Sequence, residues 1–148
     1  MIHIVQYDND LKPYVFSFTS ECFMGLGKIF DPEGRHYFYK DIPGYFERFW
    51  CLVKDGNVIG TVAIKKMDEV TVELKALYVD AAYRGQGWGY KLLDQAMTYA
   101  EQAGFERVLL DSMSQYESAA NLYRDYGFID TDRFNDNPYA DIFMEYRF

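Results

Sequence analysis

Between a strand-like run and a helical one, Tyr83-Arg84-Gly85-Gln86-Gly87-Trp88-Gly89-Tyr90-Lys91-Leu92-Leu93 sets three glycines at alternate positions. Glycine has no Cβ, takes φ > 0 freely and lets the backbone approach a ligand closely, so successive N–H groups can turn into one concavity. A helix beginning there adds the positive end of its dipole. Arg84 adds a full charge at the rim. The chemistry this suits is the binding of a diphosphate rather than a metal, because the stretch holds neither Cys nor His.

Two common phosphate patterns do not fit. A dinucleotide fingerprint built on Gly85 and Gly87 needs a third glycine where Tyr90 stands, and a P-loop counted from Gly85 meets the same tyrosine. The bland alternative is a Gly-rich turn with no ligand.

The elements on either side must hold this cradle. Phe49–Lys54 and Val58–Ile64 flank Asp55-Gly56-Asn57 as a hairpin, and Val70–Val79 follows as a third strand, with Glu73, Lys75, Leu77 and Val79 expected on one face. Beyond the glycines, Leu92, Leu93, Ala96, Met97, Ala100 and Ala103 recur at helical spacing up to a stop at Gly104. Arg107–Asp111 reads as a buried strand, and the βαβ order makes it parallel to the strand before the cradle. A second helix, about Glu117 to Tyr126, turns Ala119, Leu122, Tyr123 and Tyr126 inward; Phe128-Ile129 and Ile142–Phe148 supply two last strands.

Upstream, His3–Tyr7 is a short strand, and Asp8-Asn9-Asp10 caps a helix from Leu11 to about Met24 that Gly25 and Gly27 stop. Pro32 to Trp50 is dense in aromatics, and its spacing fits a helix interrupted at Pro43-Gly44. These rings are either plain core packing or an aromatic wall for a pocket.

At 148 residues the chain fits one domain, 1–148, and its 49% hydrophobic and 19% aromatic content excludes disorder. No apolar run approaches the ~20 residues that span a bilayer, and the first residues lack a basic signal region, so a soluble cytoplasmic protein is expected. A net charge of −8 is the wrong sign for nucleic acid or anionic lipid. Cys22 and Cys51 are expected as ordinary buried thiols, and the isolated His3 and His36 as surface or capping residues.

Arg84-Gly85-Gln86-Gly87-Trp88-Gly89 matches [QR]-x-x-G-x-[GA], by which the GNAT superfamily of acyl-CoA transferases holds the coenzyme A pyrophosphate. Ala119-x-x-Leu122-Tyr123-x-x-x-Gly127-Phe128 matches a second pattern of that family, and the order of elements is the family's own. The chain therefore resembles a GNAT N-acetyltransferase, loosely throughout and closely from Trp50 to Phe148. One departure is Tyr116, where many members carry an Asn that contacts the coenzyme; Asp111-Ser112 resembles the L-D-[TS] variant that also lacks it.

The resemblance implies an α/β (α+β) fold, a mixed central sheet with helices on both faces, and acetyl-CoA as co-substrate without a metal. It assigns coenzyme contacts to Leu77, Tyr78 and Val79 at the strand end and to Arg84, Gly85, Gln86, Gly87, Trp88, Gly89 and Tyr90 in the cradle. Glu73 occupies the strand position of the general base in several members, and Tyr123 that of the general acid toward the leaving thiolate. A backbone N–H at Val79 or its neighbour is the expected donor to the thioester carbonyl.

The implied reaction is direct attack of an amine on acetyl-CoA in a ternary complex. Partners are then a small-molecule or peptide amine, with a homodimer allowed and with no nucleic acid or membrane. The competing readings are a non-catalytic acyl-CoA-binding module, in which Glu73 is a paired strand residue and Tyr123 packing, and an acyl-enzyme on Cys22 or Cys51, which no motif supports. Acceptor choice is expected to lie in Tyr37 to Phe46 and Asn135 to Asp141.

Overall fold

Asp55 and Gly56, with φ of 52° and 80°, form a two-residue turn whose left-handed backbone matches the twist of the strands it joins. A computed structural model describes residues 1–148, in which that turn links Arg48–Lys54 (β2) to Asn57–Lys66 (β3). The remaining strands are Ile2–Gln6 (β1), Thr71–Val79 (β4), Arg107–Ser112 (β5), Ile129–Asp130 (β6) and Ile142–Arg147 (β7). The helices are Lys12–Gly25 (α1), Ile42–Tyr45 (α2), Trp88–Gln102 (α3) and Glu117–Tyr126 (α4). All seven strands form one mixed sheet, ordered β1-β2-β3-β4-β5-β7-β6, in which only β4 and β5 are parallel.

Helices cover both faces, as the resemblance implies. On one, the apolar stripe of α3 (Leu92, Leu93, Ala96, Met97) and Ala120 and Tyr123 of α4 pack on Val62, Ile64, Val72, Leu74, Leu110 and Met144. On the other, Val15 and Phe18 of α1 meet Tyr39, Ile42, Phe46, Phe49, Cys51 and Ala63. Tyr39, Ile42 and Phe46 are thus core, which is the plainer reading of the aromatic segment.

Three expectations are corrected. Pro43 and Gly44 do not interrupt a helix: they lie in the first turn of α2, where Pro is tolerated, and Asp41 accepts the Gly44 N–H at 3.2 Å. On α4 the inward positions are Ala120 and Tyr123, while Ala119, Leu122 and Tyr126 are only partly covered. The sixth strand is Ile129-Asp130, because Phe128 is drawn into the core before it.

The fourth correction shapes the site. Thr61 pairs with Tyr78 and Ala63 with Lys75, so Ala76 and Leu77 together oppose Val62, and Ala76 has φ 57°. This β-bulge breaks the alternation. Glu73, Lys75, Leu77 and Val79 do not share a face: Leu77 and Val79 pack on the α3 side, whereas Ala76 and Tyr78 pack on the α1 side. Downstream, β4 and β5 are paired only from Thr71–Arg107 to Glu73–Leu109, although β4 runs on to Val79 and β5 to Ser112. The two parallel strands part just past Glu73.

Candidate active site

The cradle follows β4 directly. Gly85 and Gly87 have φ of 78° and 87°, and a Cβ at either would meet no atom within 4 Å, so it is the backbone turn, not crowding, that calls for glycine. Gly87 caps α3 with no side-chain acceptor. The N–H groups of the six residues Gly85 to Tyr90 consequently donate to no protein group: the first bond of the helix runs from the Lys91 N–H to the Gly87 carbonyl. Six amides in a row, opening on space at the positive end of a 15-residue helix, fit an oxyanion group such as a pyrophosphate.

Arg84 stands at the rim, exposed. Its Nε donates to the Val79 carbonyl at 3.0 Å, which fixes the guanidinium between strand end and cradle. Lys91, one turn further on, lies 4.5 Å over the Trp88 ring. The expected coenzyme contacts therefore fall along one edge: Leu77 to Val79 end β4, and Arg84 to Tyr90 continue from it.

Glu73 is only 5% exposed and pairs with Lys75, Nζ to Oε2 3.3 Å. Burial pushes its carboxyl above the ordinary glutamate range; Lys75 and Lys65 oppose the shift and the charge of Asp111 adds to it. A carboxyl held in this way is a better proton acceptor than a free one. Tyr123 is buried on α4 against Phe128, and burial together with Asp111 raises its phenol further above 10, so it stays protonated. The charge of Asp111 acts on both groups.

Other groups gather around these two. Tyr78 lies among Tyr39, Cys22, Tyr123 and Tyr116, its phenol raised well above the usual value by burial and then by these neighbours. Its ring meets Phe23 edge-on at 5.3 Å, and Phe23 meets His36 at 5.1 Å and Phe30 at 5.9 Å. The aromatic surface facing Tyr78 thus comes from α1 and the loop after it as well as from Tyr39, inside the expected Tyr37 to Phe46. Asn135 and Asn137, inside the polar loop expected to shape acceptor choice, both donate to Asp111 Oδ2, at 2.7 and 3.3 Å. No periodicity marks such contacts, which depend on the return of β7 beside β5.

Neither cysteine is an activated nucleophile. Cys51 is fully buried and its thiol is pushed up to about 12 by burial. Cys22, expected as buried, is half-exposed beside Arg84, yet burial still raises it. His36 caps no helix; its Nδ1 accepts the Asp31 N–H at 3.0 Å and closes the loop after α1. No group of three His, Cys, Asp or Glu side chains is placed to hold a metal ion, and no helix is long and apolar enough to cross a membrane.

A mixed sheet that parts between its two parallel strands, with an amide cradle opening the next helix, is the arrangement that the GNAT resemblance implies. The chain belongs to the acetyltransferase (GNAT) family, whose model matches residues 13–128. It is 34% identical over 94 residues to N-acetylaspartate synthetase of Rattus norvegicus, a match covering 60% of this chain and 31% of that protein. The chain thus spans about a third of the length of that relative. Among solved structures, a GNAT-family acetyltransferase of Staphylococcus aureus superposes with TM-score 0.90 at 21% identity, covering 99% of both chains. The yncA protein of Salmonella typhimurium, solved with its cofactor acetyl-CoA, superposes with TM-score 0.75 at 21% identity, covering 99% of this chain and 94% of that one.

Proposed function

We propose that the protein transfers the acetyl group of acetyl-CoA to an amine, from a small molecule or a peptide, by direct attack in a ternary complex. The observation that carries this reading is the run of six unpartnered amides from Gly85 to Tyr90 beneath Arg84. The coenzyme pyrophosphate would accept from them, and the pantetheine arm would run along Leu77, Tyr78 and Val79 into the gap past Glu73. A relative named for making N-acetylaspartate, and a neighbour that holds acetyl-CoA, agree with it.

The amine arrives as an ammonium and must lose a proton before attack. Glu73, ionised and shielded, takes it directly or through water. The neutral nitrogen then bonds to the acetyl carbon, the carbon–sulfur bond breaks, and the nitrogen sheds its second proton to solvent. The Tyr123 hydroxyl gives a proton to the departing thiolate and regains one from solvent. Backbone N–H groups near Val79 stabilise the carbonyl oxygen as charge develops on it.

Ligand-dependent melting tests the cradle. Acetyl-CoA should raise the melting temperature and acetyl-pantetheine, which lacks the pyrophosphate, should do so far less. Equal shifts would remove the assignment. Thiol release from acetyl-CoA across a panel of amines then separates a transferase from a non-catalytic binding module, which would bind the coenzyme and release none.

A further inference from the structure

Glu73 stands beside Leu109 in the parallel ladder, and residues two apart on a strand share a face. Asp111 therefore projects on the same side of the sheet as Glu73, just beyond the point where β4 and β5 part. Leu110 between them turns the other way and is 1% exposed. Asp111 is half-buried and makes no ion pair. Both amides that reach it, from Asn135 and Asn137, bind the same oxygen, Oδ2, so Oδ1 accepts nothing from the protein.

A partly desolvated carboxylate with one oxygen bonded by neutral amides and the other free lacks a cation. Glu73, by contrast, has Lys75 at 3.3 Å on its own strand and Lys65 on β3. The protein thus supplies cations to one of the two carboxylates and not to its neighbour. A second group in the same neighbourhood also lacks a partner: the Tyr116 hydroxyl is buried without a hydrogen bond, among the phenols around Tyr78 and Tyr123.

We propose that Asp111 receives the acceptor's ammonium group on Oδ1 and presents its nitrogen toward Glu73, so that the site selects cationic primary amines over neutral nucleophiles. This rests on the transferase reading and adds to it the residue that receives the amine. An ammonium has three donors. One goes to Asp111 and one to Glu73, which takes that proton before the neutral nitrogen attacks, while Asp111 keeps its own hydrogen bond to the nitrogen. Asn135 and Asn137 hold the carboxylate in position from the loop before β7, which couples that loop to amine binding.

The test is calorimetric, on protein saturated with coenzyme A so that no acetyl transfer occurs. The probes are 2-phenylethylammonium, its neutral analogue 2-phenylethanol, and the N,N,N-trimethyl ammonium, which keeps the charge without N–H donors. The native protein should bind the primary ammonium at least about tenfold more tightly than either other probe, as expected of one charge-assisted hydrogen bond. Asp111→Asn keeps an oxygen to accept both asparagine amides and should weaken binding of the primary ammonium about tenfold, leaving only its bond to Glu73, with coenzyme A affinity unchanged. Equal binding of the three probes by the native protein, or a preference as large in Asp111→Asn as in the native protein, overturns the proposal. The native comparison stands even where the variant fails to fold, and failure to bind coenzyme A would instead remove the transferase reading.

Discussion

Thr61 Oγ1 donates a 2.6 Å hydrogen bond to the Ala76 carbonyl, joining β3 to β4 at the one strand residue whose φ lies in the left-handed region. An alanine there costs about 1–2 kcal/mol relative to an ordinary conformation, so the bulge needs support from its neighbours. Its effect is geometric. By inserting one residue it leaves Leu77 and Val79 on the α3 side and turns Tyr78 toward the aromatic rings of α1 and the following loop. The proposed coenzyme edge and the proposed acceptor side diverge at this point.

Thr61→Val removes the donor and keeps the shape, leaving the Ala76 carbonyl short of a partner in a place where Thr61 is 1% exposed. The expected loss is about 1–3 kcal/mol of folding stability, the range for an orphaned buried acceptor. Urea unfolding measures it. Thr61→Ser should keep most of the stability, and a Val variant as stable as the native protein would show that packing alone holds the bulge.

Lys75→Met probes the charge on Glu73. Removing the cation disfavours the ionised form, so the Glu73 pKa, already raised, should rise further and carry the acid limb of the kcat profile to higher pH. For stability the sign follows from a folded pKa above the unfolded one, near ~4.3 for glutamate. The contribution is complete below that value and is lost as pH rises through the folded pKa. The variant and the native protein should therefore be closest in stability in acid and separate as pH rises. A limb that stays in place would mean that Lys75 does not set the charge state of Glu73.

Much of this arrangement was legible in the sequence, and the limit of legibility is physical. Helix spacing, turn glycines and the βαβ order depend on neighbours within a few residues, and α3, β5 and the Gly85–Gly87 turn fall where those rules place them. The bulge was not legible, because Val70–Val79 alternates well enough to pass for a regular strand, and the threonine that bonds its carbonyl lies on the preceding strand. Nor was the free oxygen of Asp111. Its bonds come from Asn135 and Asn137, at sequence distances of 24 and 26, and no local pattern records such a pairing. Tyr123 was found through a motif and not through the helix stripe, which would have chosen Ala119 and Leu122 equally.

Two glycines of the cradle should respond in opposite ways. Gly87→Ala places a side chain at φ 87° with nothing to clash against, so its cost is purely that of the left-handed backbone. Relief of that strain by relaxing the turn would scatter the amides, and acetyl-CoA should bind about five- to thirtyfold more weakly, equivalent to about 1–2 kcal/mol. Gly89→Ala lies inside α3, where the new Cβ would sit 3.5 Å from Leu122, an ordinary contact. That change should leave the folding stability of the unliganded protein intact or raise it by up to about 1 kcal/mol. Thermal melting with and without acetyl-CoA separates the two, and equal loss of affinity in both would implicate general access to the cradle rather than its φ > 0 turn.

Tyr123→Phe decides whether the phenol does chemistry or only fills space. Burial and the charge of Asp111 raise its pKa, so the hydroxyl is protonated at every working pH and the native enzyme should show no alkaline limb from this residue. As the proton donor to the departing thiolate, it should be missed in the Phe variant by a kcat about 10²–10⁴-fold lower, with the coenzyme Kd unchanged because the ring still meets Phe128. A purely packing role predicts otherwise. The Phe variant would then turn over at the native rate, and only Tyr123→Ala would fail, through a cavity costing about 3–5 kcal/mol. Measuring kcat, coenzyme Kd and unfolding for both variants with one accepted amine distinguishes the cases, and a fully active Tyr123→Phe enzyme would pass thiolate protonation to water and leave Tyr123 as part of the α4 core.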